Sequence, residues 1–221
     1  MSEIIPAILV SDVLQFKRKI DALEGRVEEV QIDLMDGLFV PQTSLADPSV
    51  IRAFSTKLGY ELHLMVDDPA SVIEAWSVIP NVRRVIPHAE ISQPLAPLID
   101  QIHGLGWQAG LALNPETPWQ TIDDLIPELD TVLVMTVPPG KSGQSLAEAA
   151  VEHHLLSKIS ELHRCHPGLI ISADGGVNAE TIPLLAEAGV TRFTMGSAIW
   201  QSSDPLAALK EFQNQLNRLI T

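Results

Sequence analysis

The feature that most constrains this chain is a pattern repeated eight times: a short apolar run, a punctuating turn and an amphipathic stretch. The apolar runs fall at 4–10, 30–34, 60–66, 84–88, 108–113, 131–136, 169–173 and 192–195. Each has the length of a buried strand. Between them, 13–23, 69–78, 93–105, 118–126, 149–164, 179–188 and 205–220 read as helices, with a weaker one at 48–54. In the first of these, Val13, Phe16, Ile20 and Leu23 recur at a helical period. Pro69, Pro118 and Pro205 each follow an Asp or Thr, the arrangement of a proline at the first helical position behind a cap.

Strands alternating with helices imply parallel βα units. Eight units in 221 residues predict a compact α/β fold, the (β/α)8 TIM barrel, with 1–221 as a single domain. The rival is a doubly wound open sheet, which usually carries a glycine-rich turn after its first strand. Here that turn reads Val10-Ser11-Asp12-Val13, without glycine.

Composition narrows the function. With 28 acidic and 14 basic residues the formal charge is −14, so the chain has no electrostatic reason to seek nucleic acid or anionic lipid. The lone cysteine, Cys165, cannot form an internal disulfide, which suits a reducing compartment. Met1-Ser2-Glu3 lacks the basic start of a signal peptide, and the run 4–10 is too short to span a bilayer. The expectation is a soluble, cytoplasmic enzyme or binding protein.

In a barrel the chemistry sits at the C-terminal ends of the strands. The second run ends Gln31-Ile32-Asp33-Leu34-Met35-Asp36-Gly37. Gln31 and Asp33 lie two apart and share one face of a strand, with Ile32 and Leu34 on the other. The third run offers His63 and the seventh offers Asp174. Strands 2 and 7 lie three steps apart around a closed ring, so their carboxylates can face each other across a substrate. Two opposed carboxylates and a histidine suit a divalent metal flanked by an acid and a base. Asp36, before Gly37, reads instead as a turn residue. His88 ends the fourth strand, where lining the site and packing are equally expected. His153, His154, His163 and His166, on or after a helix, read as solvated surface.

Phosphate is the second theme. Gly175-Gly176 follows strand 7 and Gly196-Ser197 follows strand 8. Backbone N–H groups at such turns and at the following helix N-termini form a phosphate cradle in barrels. A third glycine loop, 138–144, follows strand 6 and would act as a lid or a third wall of the cradle, with Lys141 reaching the anion.

These residues, in this order and spacing from Ile5 to about Phe212, resemble the ribulose-phosphate 3-epimerase family. The resemblance is carried by Pro6-Ala7-Ile8-Leu9, Asp33-Leu34-Met35-Asp36-Gly37, Phe39-Val40-Pro41, His63-Leu64-Met65 and Leu113-Asn114-Pro115-Glu116-Thr117-Pro118. It continues through Val134-Met135-Thr136-Val137, Pro139-Gly140, Gly143-Gln144-Ser145, Asp174-Gly175-Gly176-Val177-Asn178 and Gly196-Ser197-Ala198-Ile199. It implies a barrel of the ribulose-phosphate-binding type and a metal-assisted 1,1-proton transfer at C3 of a ketose phosphate, a pentulose 5-phosphate first among them. It assigns Asp33 and Asp174 as catalytic residues and metal ligands, with His63 as a further ligand. It places Met35, Met65 and Met135 near the metal, and Gly143, Gly175, Gly176, Gly196 and Ser197 on the phosphate. The implied cofactor is a divalent metal, one of Zn, Mn, Fe or Mg. The expected partners are a small sugar phosphate and further copies of the chain as a homo-oligomer, with no nucleic acid and no membrane.

The chain also departs from that pattern. The family's first metal histidine aligns with Gln31, and a serine near the substrate with Val10. Leu38 and Gln42 replace a histidine and an asparagine, and Pro138, Lys141 and Ser142 are unusual in the strand 6 loop. Gln31 would bind the metal through its amide oxygen, or leave three protein ligands. Three readings follow: a working epimerase; a barrel that binds a sugar phosphate without epimerising it, as sensor or partner subunit; and a barrel lyase or decarboxylase. The last typically needs an Asp-x-Lys-x-x-Asp pattern, and the segment Gln31–Asp36 has no lysine.

Overall fold

Each apolar run becomes one strand of a parallel barrel in the computed structural model, which describes residues 2–45, 47–140, 143, 146 and 149–220. The strands are β1 (Glu3–Ile8), β2 (Glu29–Met35), β3 (Gly59–Met65), β4 (Val82–Pro87), β5 (Gln108–Leu113), β6 (Thr131–Met135), β7 (Ile170–Asp174) and β8 (Arg192–Met195). They close in chain order, β1 pairing with both β2 and β8.

The helices are α1 (Val13–Leu23), α2 (Pro48–Ile51), α3 (Pro69–Trp76), α4 (Leu95–Gly104), α5 (Ala149–Cys165), α6 (Thr181–Ala188), α7 (Ser197–Trp200) and α8 (Pro205–Ile220). Capping sets their starts. Asp12 accepts from the Gln15 N–H ahead of α1, and Asp68 accepts from Ser71 with Pro69 in the first turn of α3.

Three expectations need correction. The stretch after β5 is a 3-10 helix, Trp119–Glu128, with Pro118 at its cap rather than at the first helical position. Pro127 lies within it and cannot donate the bond an α-helix would need there. The helix expected at 48–54 ends at Ile51. The four-residue α7, directly after β8, is too short for any periodic run to signal it.

Period-two alternation divides the strand side chains between two environments. Ile32, Leu34, Leu62, Leu64, Leu111, Val132, Val134, Ile171 and Phe193 point outward into the layer beneath the helices, with Phe16, Ile20 and Ile73. Burying each such side chain contributes roughly 1.5–3 kcal/mol. That outer layer carries most of the apolar burial, which frees the lumen for polar groups. The inward apolar cluster is small: Ile86, Ala112, Leu133 and Met135. Below it, at the N-terminal ends of the strands, lie buried Glu29, Glu61, Arg84 and Arg192. Above it lie Gln31, Asp33, His63 and Asp174.

Candidate active site

Register brings the expected site residues together. Asp33 pairs with His63 across β2 and β3, Ala7 with Gln31 across β1 and β2, and Asp174 with Thr194 across β7 and β8. The contacts between β2 and β7 cross the lumen. The Gln31 Nε2 group donates to Asp33 Oδ1 at 2.8 Å and to Asp174 Oδ2 at 2.6 Å. It also lies 3.4 Å from His63 Nδ1. Gln31 Oε1 accepts from the Thr194 hydroxyl at 3.0 Å, so the buried amide uses both ends. His63 Nδ1 is 3.2 Å from Asp33 Oδ1 and 3.6 Å from Asp174 Oδ2.

The electrostatics follow from crowding two carboxylates with little water. Burial, and then the neighbouring Asp33 carboxylate, push Asp174 up to about 7. For His63, burial opposes the charged ring, but the Asp33 hydrogen bond and the charges of Asp33, Asp174 and Glu61 outweigh it and raise the ring above its ordinary value. A ligand atom from each of Asp33, His63 and Asp174 lies within 4.8 Å of the others. Two carboxylate oxygens and an imidazole nitrogen form a donor set that fits a divalent cation.

Behind His63 runs a chain of hydrogen bonds. His63 Nε2 is 2.9 Å from His88 Nε2, and His88 Nδ1 is 3.1 Å from Glu90 Oε2. Burial drives His88 down to about 4, so it is neutral near pH 7. Burial would raise Glu90, but hydrogen bonds from His88, Thr117 and the Asn114 N–H hold it below the usual carboxylate range. The ionised Glu90 accepts from His88 Nδ1–H, so His88 Nε2 accepts from His63 Nε2–H. That fixes His63 Nδ1 as the atom facing the two aspartates. The same region explains the Asn114–Thr117 motif: Lys158, lowered by burial to about 8, donates to the carbonyls of Asn114, Pro115 and Thr117.

A cavity of about 260 Å³ opens above these groups, near the small end for small-molecule sites. Asp33, His63, Asp174 and the methionines 35, 65 and 135 line it, together with Gly143, Gly175, Gly176, Gly196 and Ser197. Gly175 has φ +103°, and a Cβ there would lie 2.3 Å from Val137 Cγ2, so the turn admits only glycine. Gly196 caps the short α7. Lys141, Ser142 and Gln144 lie outside the described residues, whereas Pro138 lines the cavity.

Other expected residues are placed elsewhere. Val10 is buried in the helix-facing layer, because inward positions on β1 are odd-numbered; Ala7 and Leu9 line the cavity instead. Leu38 is 76% exposed, outside the cavity lining. Of the replacements at positions 10, 31 and 38, only Gln31 touches the carboxylates. Asp36 is a turn residue as expected, accepting from the N–H groups of Leu38, Phe39 and Asp67. Among the helix histidines, His166 is half-buried, 3.1 Å from Asp123 and edge-on to Trp119.

Sequence reasoning missed Glu90, Thr194 and Lys19. Lys19 is the only lysine or arginine among the described cavity residues. Its Nζ lies 4.8 Å over the Trp200 ring and 3.5 Å from the Leu9 carbonyl. Burial lowers it, against the pull of Asp33. Position 19 is half-buried on α1, and no strand-end rule reaches it.

Comparison with known proteins gives a consistent result. Residues 3–200 match the model of the Ribulose-phosphate 3 epimerase family. The ribulose-phosphate 3-epimerase of Bacillus subtilis is 36% identical, over 96% of this chain and 99% of its own. That of Treponema pallidum is 35% identical, over 90% and 91%. Among solved structures, the KGPDC of Streptococcus mutans superposes with a TM-score of 0.73 at 14% identity, covering 98% of this chain and 97% of its own. The orotidine 5'-monophosphate decarboxylase of Sulfolobus solfataricus gives 0.67 at 15% identity, covering both chains fully. Identities this low speak for a shared fold alone.

Proposed function

The chain belongs to the ribulose-phosphate 3-epimerase family, and on that premise we propose that it epimerises a ketose phosphate, a pentulose 5-phosphate, at C3. One observation carries the reading. Asp33 and Asp174 come from opposite sides of the lumen, share one amide nitrogen and open onto a cavity that glycine turns also line.

Asp33 and Asp174 are the acid–base pair of this proposal. The proton at C3 lies α to a ketone and leaves as charge builds on the carbonyl oxygen. One carboxylate removes it from one face. The other, protonated, returns a proton to the opposite face, which inverts the centre. Without a bound cation, burial and the Asp33 charge raise Asp174 to about 7, and each positioned acid or base contributes about 10²–10⁴ in rate. The turns at Gly175-Gly176 and Gly196-Ser197 would hold the phosphate through backbone N–H groups. Lys19 adds the cavity's lysine charge.

Asp33, His63 and Asp174 would hold a divalent cation, with Gln31 as a fourth ligand through its oxygen. When bound, such an ion supplies Lewis-acid stabilisation of charge on the substrate carbonyl oxygen, worth several kcal/mol. Exchanging an imidazole for an amide oxygen hardens the set and favours manganese or magnesium over zinc. Residues 1–221 are read as one barrel domain working in the cytoplasm.

The second reading, a sugar-phosphate binder without turnover, is favoured by the Gln31 amide lying across both carboxylates. The test is to incubate EDTA-treated protein with ribulose 5-phosphate, with and without added manganese, magnesium, zinc or iron, and follow the C3 epimer by NMR. Appearance of the epimer supports the epimerase. A raised melting temperature without epimer under every condition supports the binder.

A further inference from the structure

The Gln31 nitrogen lies 2.8 Å from Asp33 Oδ1, 2.6 Å from Asp174 Oδ2 and 3.4 Å from His63 Nδ1. These residues are the three candidate ligands, grouped within 4.8 Å of one another. A divalent cation needs ligand atoms about 2.0–2.2 Å away. At 2.6–3.4 Å from the three ligand atoms, this nitrogen occupies the place of a fourth ligand beside them, with the cation's own position lying between the four.

Chemistry fixes which end of the amide points there. With no cation present, an inward-facing Oε1 would meet two carboxylates, and even a proton on Asp174 would leave Asp33 without a donor. The NH2 group carries two protons, one for each carboxylate. With a cation present the preference reverses, because an amide nitrogen has no lone pair to give and Oε1 does. The far side of the amide accommodates both states. Thr194 donates its hydroxyl proton to Oε1 at 3.0 Å, and a hydroxyl oxygen also accepts. A Gln31 turned by about half a revolution about its last side-chain bond would donate Nε2 to the same Thr194 oxygen. The backbone need not move, and both ends of the amide keep a partner in either state.

We propose that the Gln31 carboxamide is a reversible stand-in for the cation: NH2-inward it bridges Asp33 and Asp174 in the metal-free protein, and it turns to present Oε1 when a cation enters. The idea rests on the assignment of Asp33, His63 and Asp174 as cation ligands, but not on the substrate or on turnover. A neutral histidine at this position has one N–H and can satisfy only one carboxylate. The glutamine therefore gives a metal-free site that is complete in itself, in exchange for weaker cation binding.

The test uses the full chain, EDTA-treated, as native protein and as Gln31→His and Gln31→Leu. Zinc and manganese are titrated by calorimetry, melting temperatures are taken with and without each, and the ¹⁵N side-chain amide of Gln31 is assigned by its loss in the variants. Three results are expected. The native Gln31 amide protons are protected from exchange without metal, and the resonance shifts when zinc saturates the site. Gln31→His binds zinc at least about tenfold more tightly, the lower end for an altered metal environment. Gln31→His and Gln31→Leu both lose melting temperature relative to native in EDTA, and zinc restores more of it in Gln31→His than it adds to native. Equal zinc affinity in native and Gln31→His would overturn the proposal. So would an unshifted Gln31 resonance at zinc saturation, or no zinc binding by the native chain. If Gln31→Leu does not fold, the native resonance still decides. None of these readouts depends on turnover, so an inactive protein that shows the amide turn would sink the epimerase reading and leave this one standing.

Discussion

At the floor of the barrel, Glu29 Oε1 and Glu61 Oε2 each accept from both Arg84 and Arg192, at 2.6–2.9 Å. At the mouth, about two strand residues higher, Asp33 and Asp174 share a neutral amide and face a histidine. Both ends of the lumen hold buried carboxylates. The floor supplies them with fixed positive charge, since the arginine pair sits in every described contact there, with Glu3 on Arg192 at the rim. Burial opposes the charged Arg192 guanidinium, yet the surrounding glutamates raise it above its ordinary value. The mouth supplies the Gln31 amide and a titratable His63 ring in place of an arginine pair. Its negative charge is left for a proton, a cation or a substrate to compensate. The floor is closed electrostatically and holds the barrel; the mouth is open and reactive.

The contrast is broken most severely from below. Arg192→Met removes one guanidinium from two buried glutamates and should destabilise the fold by about 3–5 kcal/mol, the usual cost of orphaning a buried ion-pair partner. Urea unfolding measures it, and a loss under about 1 kcal/mol would mean the floor is not a charge-compensated unit. The mouth should respond in the opposite sense. Asp174→Asn removes a like charge, so the metal-free protein should be as stable as native or more so, while epimerisation falls by about 10² or more.

The same pair gives a pH signature. An unfolded aspartate titrates near 3.8, while Asp174 in the fold titrates near 7. The native state therefore holds the extra proton between those values. The stability this group contributes is fully present below about 4 and is lost as pH rises towards 7. In EDTA, native protein should lose stability relative to Asp174→Asn across that window, by urea unfolding at several pH values. A constant difference would count against the raised Asp174. A smaller effect is expected one step back. His88→Asn should lower kcat or cation affinity by about 10–100-fold with substrate KM nearly unchanged, because it frees the His63 ring without touching substrate. Equal changes in KM would place His88 in the substrate pocket instead.

Much of this was legible in the sequence, for identifiable reasons. Strands buried on both faces read as continuous apolar runs, so eight of them announced the barrel. Period two placed Gln31 and Asp33 on one face from the residues alone. The same rule run toward the strand N-termini leads to the floor: Glu29 lies two before Gln31, Glu61 two before His63 and Arg192 two before Thr194. Isolated charges in apolar runs look like strand ends, and that hid the floor. Val10 came from the family alignment alone, whereas the same period-two rule puts Ile5 and Ala7 inward on β1 and Val10 outward. Glu90 and Lys19 were beyond such rules, as both reach the site by tertiary packing. The direction of the Gln31 amide was also unreadable, because it depends on Asp174 from a strand 143 residues away.

If the mouth moves a proton at C3, incubating the native chain with ribulose 5-phosphate in D2O and reading deuterium at C3 by NMR will show it. The expected result is label at C3 in the substrate and in its epimer, with a matching rise of the epimer. Unlabelled C3 with manganese, magnesium, zinc and iron each supplied in turn would contradict it.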